Sequence, residues 1–256
     1  MDQVGIAPWF RAARLDGDPT LLDASYRLRY QVYCLERLFL PAHRYPDKRE
    51  TDVFDAHAMH FGVLNLQGEV VATARLVRRS EDGLPMFGHC RIQEPHPAVQ
   101  DTCAPIVEIS RLSVSRAYNR RRGDDHYGLA GADGRADGPE RRQGGEIVLM
   151  LYAALYQTSK RQGYTHVLAA IERPLRRLLG RVGVPLRRIG PFTDYFGPVA
   201  PYLIDVSELD RVIVGGTRPI LAQFIEGLEP EFCPALVHSP TGPLRILDGR
   251  PATPAS

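Results

Sequence analysis

Cysteine is scarce in this chain, and the spacing of the few cysteines excludes the common metal-binding patterns. They form neither a Cys-x-x-Cys pair nor a Cys/His cluster, since they are scattered as Cys34, Cys90, Cys103 and Cys233. Such usage is typical of proteins kept in a reducing compartment. We therefore predict a cytoplasmic protein without a bound metal.

Long apolar runs and charge of one sign are missing as well. No stretch of about 18 apolar residues could cross a bilayer, and the N-terminus lacks the basic and apolar regions of a signal peptide. The formal net charge of +2 argues against a general nucleic-acid binder. We expect neither stable membrane insertion nor nucleic acid as a partner.

The order of the predicted elements indicates an α/β fold. With 256 residues, of which 44% are hydrophobic, the chain can bury one substantial core. Apolar periodicity predicts helices over 21–39, 146–162 and 174–182, a hairpin of strands over 61–66 and 70–78, and further strands over 106–114, 165–171, 186–189 and 200–206. Strands interleaved with helices favour a layered α/β domain.

Two segments differ in composition from this core. Residues 124–145 are rich in Gly, Asp and Arg and almost free of large apolar side chains, which predicts a mobile insertion. Beyond residue 206 the pattern predicts one more helix over 209–228 and a Pro-rich, loosely held tail. We therefore divide the chain into a domain over 1–206 and a C-terminal part over 207–256. The insertion, whose limits are taken as 122–145, interrupts the domain.

A charged strand is the most informative feature. The run Ile106–Val114 is rich in Ile, Val and Leu, yet it carries Glu108 and Arg111. Residues three apart point to opposite faces of a regular strand, so only a bulge or a splay would bring both side chains to one side. The alternatives are an internal ion pair or two separate surface charges. A second charged group precedes the strand along the chain: Arg29, Glu50, Asp52, Asp55 and Arg75.

The end of this strand resembles a motif of the GNAT superfamily of acyltransferases. The strand runs into an Arg- and Gly-rich turn at 114–123, which is similar to the phosphopantetheine loop of that superfamily. The resemblance implies a GNAT-like acyl-CoA N-acyltransferase fold, with a central mixed, twisted sheet flanked by helices. Backbone N–H groups and arginines at a helix N-terminus would hold the phosphate of the acyl donor. Two stretches are candidates for this role: Arg120, Arg121, Arg122 and Gly123, or Arg142, Gly144 and Gly145.

Four motifs are similar, in order and approximate spacing, to the signature of acyl-homoserine-lactone synthases and N-acyl amino acid synthases: Arg29-Tyr-Gln-Val-Tyr33, Glu50-Thr-Asp-Val-Phe-Asp55, Ala74-Arg-Leu and Glu108-Ile-Ser-Arg111. The overall layout, with a Tyr-Phe-Gly turn near residue 196, most resembles the acyltransferases of the PEP-CTERM/exosortase system. The homoserine-lactone synthases usually carry a tryptophan where this chain offers Phe39. We therefore favour an N-acyltransferase of unknown amine acceptor over a quorum-signal synthase.

The chemistry of thioester aminolysis suggests roles for the charged residues. An attacking amine must lose a proton, and the carbonyl oxygen gains negative charge. Glu108 is the candidate general base, because apolar neighbours can raise the pKa of its carboxyl toward neutrality; the alternative is a carboxylate kept ionised by Arg111. Arg75 and Arg111 complete the predicted catalytic group. Backbone N–H groups of residues 112–115, at a strand bulge, would stabilise the oxyanion.

Further residues are predicted to contact substrate. The other charged residues would position the acceptor and a mobile N-terminal cover, or would fix the loop over 41–55 onto the sheet by salt bridges. Aromatic residues would line an acyl channel, or would simply belong to the core. The predicted substrate-binding residues are Arg29, Tyr33, Phe39, Asp52, Asp55, Phe87, Leu112 and Val114.

The sequence thus predicts an N-acyltransferase that moves a fatty acyl group to the amine of an amino acid or related metabolite. The donor is a cosubstrate, acyl carrier protein being favoured over acyl-CoA, and no tightly bound cofactor is expected. Clustered arginines, among them Arg173, Arg176 and Arg177, would suit an acidic carrier protein. The alternatives are an acyl-homoserine-lactone synthase and a catalytically silent GNAT-like module that binds an acylated carrier protein.

Overall fold

A nine-stranded mixed sheet organises the residues that the computed structural model describes, which are 4–7, 9–93, 96–118, 140–216 and 219–234. Its strands are, in chain order, β1 Val4–Ala7, β2 Phe10–Arg14, β3 Ala58–Asn65, β4 Val70–Arg78, β5 Ile106–Val114, β6 His166–Glu172, β7 Arg187–Arg188, β8 Thr193–Asp194 and β9 Pro198–Asp205. Within the sheet the order is β1-β2-β3-β4-β5-β6-β9-β7, and β8 pairs with β9. Only the pairing of β5 with β6 is parallel among these strands.

Helices pack on both faces of this sheet. The α-helices in the described part of the chain are α1 Pro19–Tyr30, α2 Pro97–Gln100, α3 Glu140–Arg161, α4 Arg173–Val182 and α5 Val206–Val214. The carboxylate of Asp18 starts α1 by accepting the N–H of Thr20 at 2.9 Å, a typical N-cap. The end of α1 continues into a π-helix, Gln31–Glu36, a geometry that is frequent at functional sites. Of these described helices, none is both long and apolar enough to cross a membrane.

Two apolar clusters, one on each face, hold the layers together. On one face, buried side chains of α3 such as Ile147 and Leu151 pack in the main core with Val107 of β5. On the other face, Ile106 and Val77 belong to a smaller cluster. Successive residues of β5 therefore serve opposite clusters, as strand alternation requires. This explains why β5 has no exposed face.

The parallel pair of β5 and β6 opens into a wedge. Their residues are paired from Ile106 with His166 up to Ile109 with Ala169, and no further. Both strands nevertheless continue, β5 to Val114 and β6 to Glu172. Diverging strands leave a gap whose walls carry backbone groups without a partner strand. The candidate site lies in this gap.

The predicted fold class is confirmed, and so are the bounds of the strand over 106–114 and of the second hairpin strand. The N-terminal cover was predicted wrongly, because residues 10–14 form a strand that pairs with β3 over its whole length. Phe10 and Ala12 alternate into the core there. The alternation of apolar and polar residues is only five residues long and is surrounded by charged residues, so it predicts a strand only weakly.

The predicted insertion was placed too far toward the C-terminus. Helix α3 begins at Glu140 rather than at 146, so Arg142, Gly144 and Gly145 lie within its first turns and not in a loop. The adjacent Gly144 and Gly145 have low helix propensity, which is why the sequence did not predict a helix there. Residues 122–139 of the predicted insertion lie outside the described residues, and so do the candidate phosphate-binding residues Arg120, Arg121, Arg122 and Gly123.

The predicted C-terminal helix is also interrupted. Helix α5 ends before Gly216, whose φ of 63° is left-handed, and a 3-10 helix, Pro219–Phe224, follows. Leu221 and Phe224 are buried in the main core beside α3. The described segment is thus held by the fold, whereas residues 235–256 of the predicted tail lie outside the described part. The domain boundary at residue 206 stays a prediction.

Gly190 provides a test of this packing. A Cβ at Gly190 would lie 2.1 Å from the carbonyl oxygen of Arg91 and 2.7 Å from Cγ of Pro201, so the backbone would have to move. We expect Gly190→Ala to lower the free energy of unfolding by about 1–3 kcal/mol, measured by urea denaturation. Gly17→Ala, where a Cβ meets nothing within 4 Å, is the control. Equal midpoints for the two variants would contradict this packing.

Candidate active site

A network of buried ion pairs lies on one face of the sheet, beside the wedge. It consists of three arginines and three carboxylates: Arg29, Arg75, Arg111, Glu50, Asp52 and Asp55. Arg29, on α1, donates from Nε to Glu50 at 2.5 Å and from both terminal nitrogens to Asp55 at 2.7 and 3.1 Å. Arg29 is 1% exposed and Glu50 is fully buried. Burial of ions is tolerated only when they are paired this completely.

The two strand arginines complete the network. Arg75 of β4 donates to Asp52 and to Asp55, each at 2.6 Å. Arg111 of β5 donates from Nε to Glu50 at 3.0 Å and from a terminal nitrogen to Asp52 at 2.8 Å. Three positive and three negative groups therefore balance within the network.

A capping box fixes the carboxylates of the network. Asp52 accepts the N–H of Phe54 at 3.0 Å, and Asp55 accepts the N–H of Asp52 at 2.8 Å, at the start of a 3-10 helix, Val53–His57. Glu50 is held to α1 by its own N–H, which donates to the carbonyl of Tyr26 at 3.1 Å. The loop that carries the acids is thus positioned by its backbone as well as by the arginines.

His60 of β3 extends the network away from the wedge. Its ring nitrogens lie 3.0 Å from Asp55 and 3.0 Å from Asp16. Burial lowers the pKa of His60, but the two carboxylates outweigh it and raise the pKa above its ordinary value. Burial likewise opposes the ionisation of Asp55, yet His60 and Arg29 hold the pKa of Asp55 far below its usual range. Asp55 is therefore an anion at any physiological pH.

A bulge in β5 brings Arg111 to this face. The pairing register of β4 with β5 shifts beside Arg75, and Arg111 has a left-handed φ of 53°. One inserted residue reverses the alternation of side chains. Ile109 and Leu112, three residues apart, consequently both pack toward the main core, while Arg111 faces the side on which Glu108 lies. This is the geometry that the spacing of Glu108 and Arg111 requires.

Glu108 stands apart from the network. It is fully buried, and its Oε2 accepts the N–H of Met86 at 2.9 Å. Its Oε1 has no hydrogen-bond partner among the described residues, and Arg111 pairs with Glu50 and Asp52 instead. Burial raises the pKa of Glu108 to about 8, although the Met86 N–H and the nearby arginines act in the opposite direction. The structure thus favours a carboxyl poised near neutrality over a permanently ionised one.

Glu108 lines the wedge, which is an open cleft with a volume of about 60 Å³. The cleft is bounded by both strands and by side chains from the π-helix, α3 and the turn between β8 and β9. Its walls include Tyr33, Arg111, Leu112, Tyr152, Tyr195 and Phe196. A buried acid at the base of an open cleft can exchange a proton with a molecule bound there.

Aromatic residues form one wall of the cleft. The ring of Phe196 lies 5.0 Å from the guanidinium carbon of Arg111, and Tyr195 shares a hydrogen bond with Arg111. Burial raises the pKa of Tyr195 to about 12, so its hydroxyl stays protonated. The turn needs Gly197, whose φ is 100° and whose missing Cβ leaves room for the ring of Phe39.

A second, apolar cavity of about 20 Å³ lies next to the cleft on the side of the main core. The two spaces share Ile109 and Tyr152 as walls. The cavity is otherwise lined mainly by aliphatic and aromatic side chains of α3, β6, β9 and α5, among them Leu155, Val167, Ile204 and Leu209. The lining is apolar, although the space itself is only large enough for a group of about the size of one water molecule.

The predicted site residues fall into three groups in the structure. Tyr33, Glu108, Arg111 and Leu112 line the cleft. Arg29, Asp52, Asp55 and Arg75 lie in the network and not in the cleft wall. Phe39 packs behind Tyr33, at 6.1 Å between ring centroids.

Two predicted substrate contacts do not reach the cleft. Phe87 is 37% exposed and lies under the guanidinium of Arg79. Val114 is buried in the main core. The predicted oxyanion segment is also shorter than expected, since the N–H of Ser115 donates to the carbonyl of Val71 at 2.8 Å.

Sequence reasoning missed three features of the site. Tyr195 and Phe196 were predicted only as part of a turn, and not as walls of the cleft. His60 was noted beside Asp55 only as half of a weak histidine pair for a metal, and its hydrogen bonds to Asp55 and Asp16 were not predicted. The ion pair of Arg37 with Glu172 joins residues too distant in sequence for any local pattern to reveal.

Residues 28–127 match the sequence family described as "Acetyltransferase (GNAT) domain". This stretch of the chain is thus similar to a GNAT acetyltransferase domain. The matched stretch contains the whole ion network as well as Glu108 and Arg111. A comparison with curated proteins found no match.

Solved structures share the fold of this domain. TofI, in a ternary complex with an inhibitor and MTA, has a TM-score of 0.58 at 19% identity, over 88% of this chain and 99% of TofI. The CoA-dependent acyl-homoserine lactone synthase BjaI, with SAM and isopentyl-CoA, has a TM-score of 0.55 at 21% identity, over 81% and 89%. The AHL synthase LasI has a TM-score of 0.53 at 18% identity, over 80% and 94%. At such identities the similarity shows the fold alone.

The ion network predicts that the folded state depends on the charge of Glu50. Glu50→Gln removes the negative charge that Arg29 and Arg111 share and leaves two guanidinium groups buried with less compensation. We expect a loss of about 3–5 kcal/mol in the free energy of unfolding, measured by urea denaturation. Asp23→Asn, at an exposed carboxylate paired with Arg27 and Arg49, should change stability little. If both variants unfold at the wild-type midpoint, the network does not hold the fold.

Proposed function

We propose that this chain is an N-acyltransferase that moves a fatty acyl group from a phosphopantetheine thioester to the amine of an amino acid or related metabolite. The observation that carries this proposal is Glu108, a fully buried carboxyl with a pKa of about 8 and an unpartnered oxygen, at the base of the cleft. An amine becomes a nucleophile only when it loses a proton, and a base with a pKa near that of the medium serves this step best.

The residues of the cleft account for each step of an aminolysis. The amine nitrogen attacks the thioester carbonyl carbon while Oε1 of Glu108 takes its proton. The carbonyl oxygen becomes an oxyanion, for which the backbone N–H of Leu112 at the bulge is the proposed donor. Collapse of this intermediate forms the amide and breaks the carbon–sulfur bond. The thiolate then leaves with a proton returned from the carboxyl of Glu108.

The apolar cavity beyond Ile109 and Tyr152 is the proposed site of the acyl chain. Each methylene removed from water there contributes about 0.8 kcal/mol to binding. A thioester in the cleft with its chain in this cavity would have its carbonyl carbon near Glu108. The apolar lining of the cavity supports an acyl chain at this place, and a volume of about 20 Å³ requires the lining side chains to move apart before a fatty chain can enter.

A basic surface beside the cleft supports acyl carrier protein as the donor. Helix α4 follows directly from Glu172, and its Leu175 and Leu179 are buried while its arginines are exposed. With two more from β7, the exposed arginines are Arg173, Arg176, Arg177, Arg181, Arg187 and Arg188. Such a field favours an acidic partner. A role in the PEP-CTERM/exosortase system stays a prediction from the sequence.

The test of the base is Glu108→Gln, assayed as thiol release from palmitoyl-acyl carrier protein with a pool of amino acids and mass spectrometry of the products. We expect the wild-type rate to rise with pH up to about 8, and the variant to lose at least a hundredfold in rate together with that rise. Glu208→Gln, at an exposed carboxylate of α5, is the control. Wild-type turnover by Glu108→Gln would remove the base assignment.

The ionisation of Glu108 can also be measured without catalysis, from the pH dependence of the free energy of unfolding. The pKa of Glu108 is about 8 in the folded chain against a reference of 4.5, so the folded state holds this proton more tightly. The stabilisation that comes from the protonated carboxyl of Glu108 is fully present below pH 4.5 and is lost as the pH rises through 8. Over this window wild type should lose stability relative to Glu108→Gln. Parallel stability curves would show that Glu108 is ionised in the fold.

The donor preference is tested at the basic surface. Arg176→Glu combined with Arg177→Glu should raise KM for palmitoyl-acyl carrier protein at least tenfold and leave KM for palmitoyl-CoA unchanged, since CoA lacks the protein surface. The charge-matched control is Arg44→Glu with Lys48→Glu, two exposed residues before the capping box. Equal effects on both donors would contradict docking of a carrier protein on α4.

A further inference from the structure

An ion pair between Arg37 and Glu172 lies at the mouth of the cleft. The terminal nitrogens of Arg37 donate to the two carboxylate oxygens of Glu172 at 2.7 and 3.1 Å. Both residues line the cleft that contains Glu108, and their side chains are 8% and 11% exposed. The pair is bidentate, the arrangement by which arginine recognises carboxylates most specifically.

Separate elements bring this pair together. Arg37 directly follows the π-helix and is turned by Leu38, whose φ of 54° is left-handed. Glu172 is the last residue of β6. The guanidinium of Arg37 also lies 4.8 Å from the ring of Phe39, which restricts its orientation. A positioned guanidinium thus faces the cleft.

The other arginines near the cleft are engaged by fixed carboxylates. Arg29 and Arg75 are each 1% exposed, lie in the ion network and do not line the cleft. Arg111 lines the cleft, but Glu50 and Asp52 engage it on β5. Arg37 differs because its carboxylate partner is itself part of the cleft wall. An anion in the cleft can therefore reach Arg37 by replacing Glu172.

The ion pair and Glu108 lie in one cleft. Glu108 of β5 is paired with Leu168 of β6, and Glu172 lies four residues further along β6, which is about 13 Å. Residues an even number apart on a strand point to the same face, so Glu172 and Glu108 both project to the side opposite Ile109 and Ala169. Arg37 and Glu108 line the cleft between these positions, so a small ligand bound there lies between the two.

We propose that Arg37 binds the carboxylate of the acceptor and that Glu172 holds the guanidinium in place until the acceptor arrives. The acceptor is then an amino acid with a free carboxylate, whose amine is directed toward Glu108. This assignment rests on the proposed function. The competing explanation is a structural strap that ties the π-helix to β6.

The experiment compares two acceptor mixtures with palmitoyl-acyl carrier protein and palmitoyl-CoA as donors. One mixture contains the common amino acids, and the other contains their methyl esters, which keep the amine and lose the negative charge. Mass spectrometry of N-acyl products gives the ratio of the two rates. We expect wild type to favour free amino acids at least tenfold. Arg37→Gln should lose at least tenfold in rate with amino acids and stay within twofold with esters, and Arg37→Lys should restore part of the preference.

The variant Glu172→Gln distinguishes carboxylate binding by Arg37 from a purely structural ion pair between the π-helix and β6. The variant keeps an oxygen that Arg37 can contact but removes the charge that competes with the acceptor, so the preference for free amino acids should persist or increase. Equal losses with both mixtures in Arg37→Gln and Glu172→Gln, together with lower thermal midpoints, would establish the strap. Products formed without any preference in wild type would overturn this assignment alone. No product from either mixture would overturn the proposed transfer to amino acids as well.

Discussion

The burial of three guanidinium groups on one face of the sheet is the constraint on which the rest of the site depends. Each buried ion carries a desolvation cost of several kcal/mol, and only close, complete pairing offsets it. Glu50, Asp52 and Asp55 supply that pairing from a single loop, which must therefore lie against α1 and the sheet. The capping box and the bulge at Arg111 are the local geometries that make this possible. The network thus fixes the position of Arg111, through which it contributes to the lining of the cleft.

The same face holds two buried glutamates with opposite properties, and their surroundings explain the difference. Glu50 is bound by Arg29 and Arg111, so both of its oxygens face cations. Glu108 accepts one backbone N–H and meets no cation at contact distance among the described residues. Desolvation then dominates at Glu108 and raises its pKa to about 8. A proton-transfer group therefore exists beside a fully charged network because the bulge directs Arg111 toward Glu50 rather than toward Glu108.

Much of the fold could be predicted from the sequence, because it depends on local periodicity. The strand over 106–114 and the hairpin follow from apolar runs bounded by turns, whereas β2 is too short and α3 too rich in glycine at its start for the same reasoning. At the site, residue types and spacing singled out Glu108 and Arg111 and showed that a bulge was needed. They could not show which acid each arginine binds, since Arg29 and Arg111 meet at Glu50 only through the tertiary fold. The pair of Arg37 with Glu172, 135 residues apart, has no local signature at all.

The completeness of the network also determines where an acidic substrate could bind. The three arginines of the network already face three carboxylates, so another anion placed there would have to displace a carboxylate that the loop and the capping box hold in place. The predicted role of Arg29 and Arg75 in direct acceptor binding thus conflicts with their pairing, whereas a role in shaping the cleft does not. The cleft mouth differs, because exchanging Glu172 for an incoming carboxylate on Arg37 leaves the number of ion pairs unchanged. A ligand that also carries an ammonium group can pair with the displaced Glu172 before its amine reaches Glu108. Charge balance alone therefore favours a zwitterionic acceptor over a simple amine.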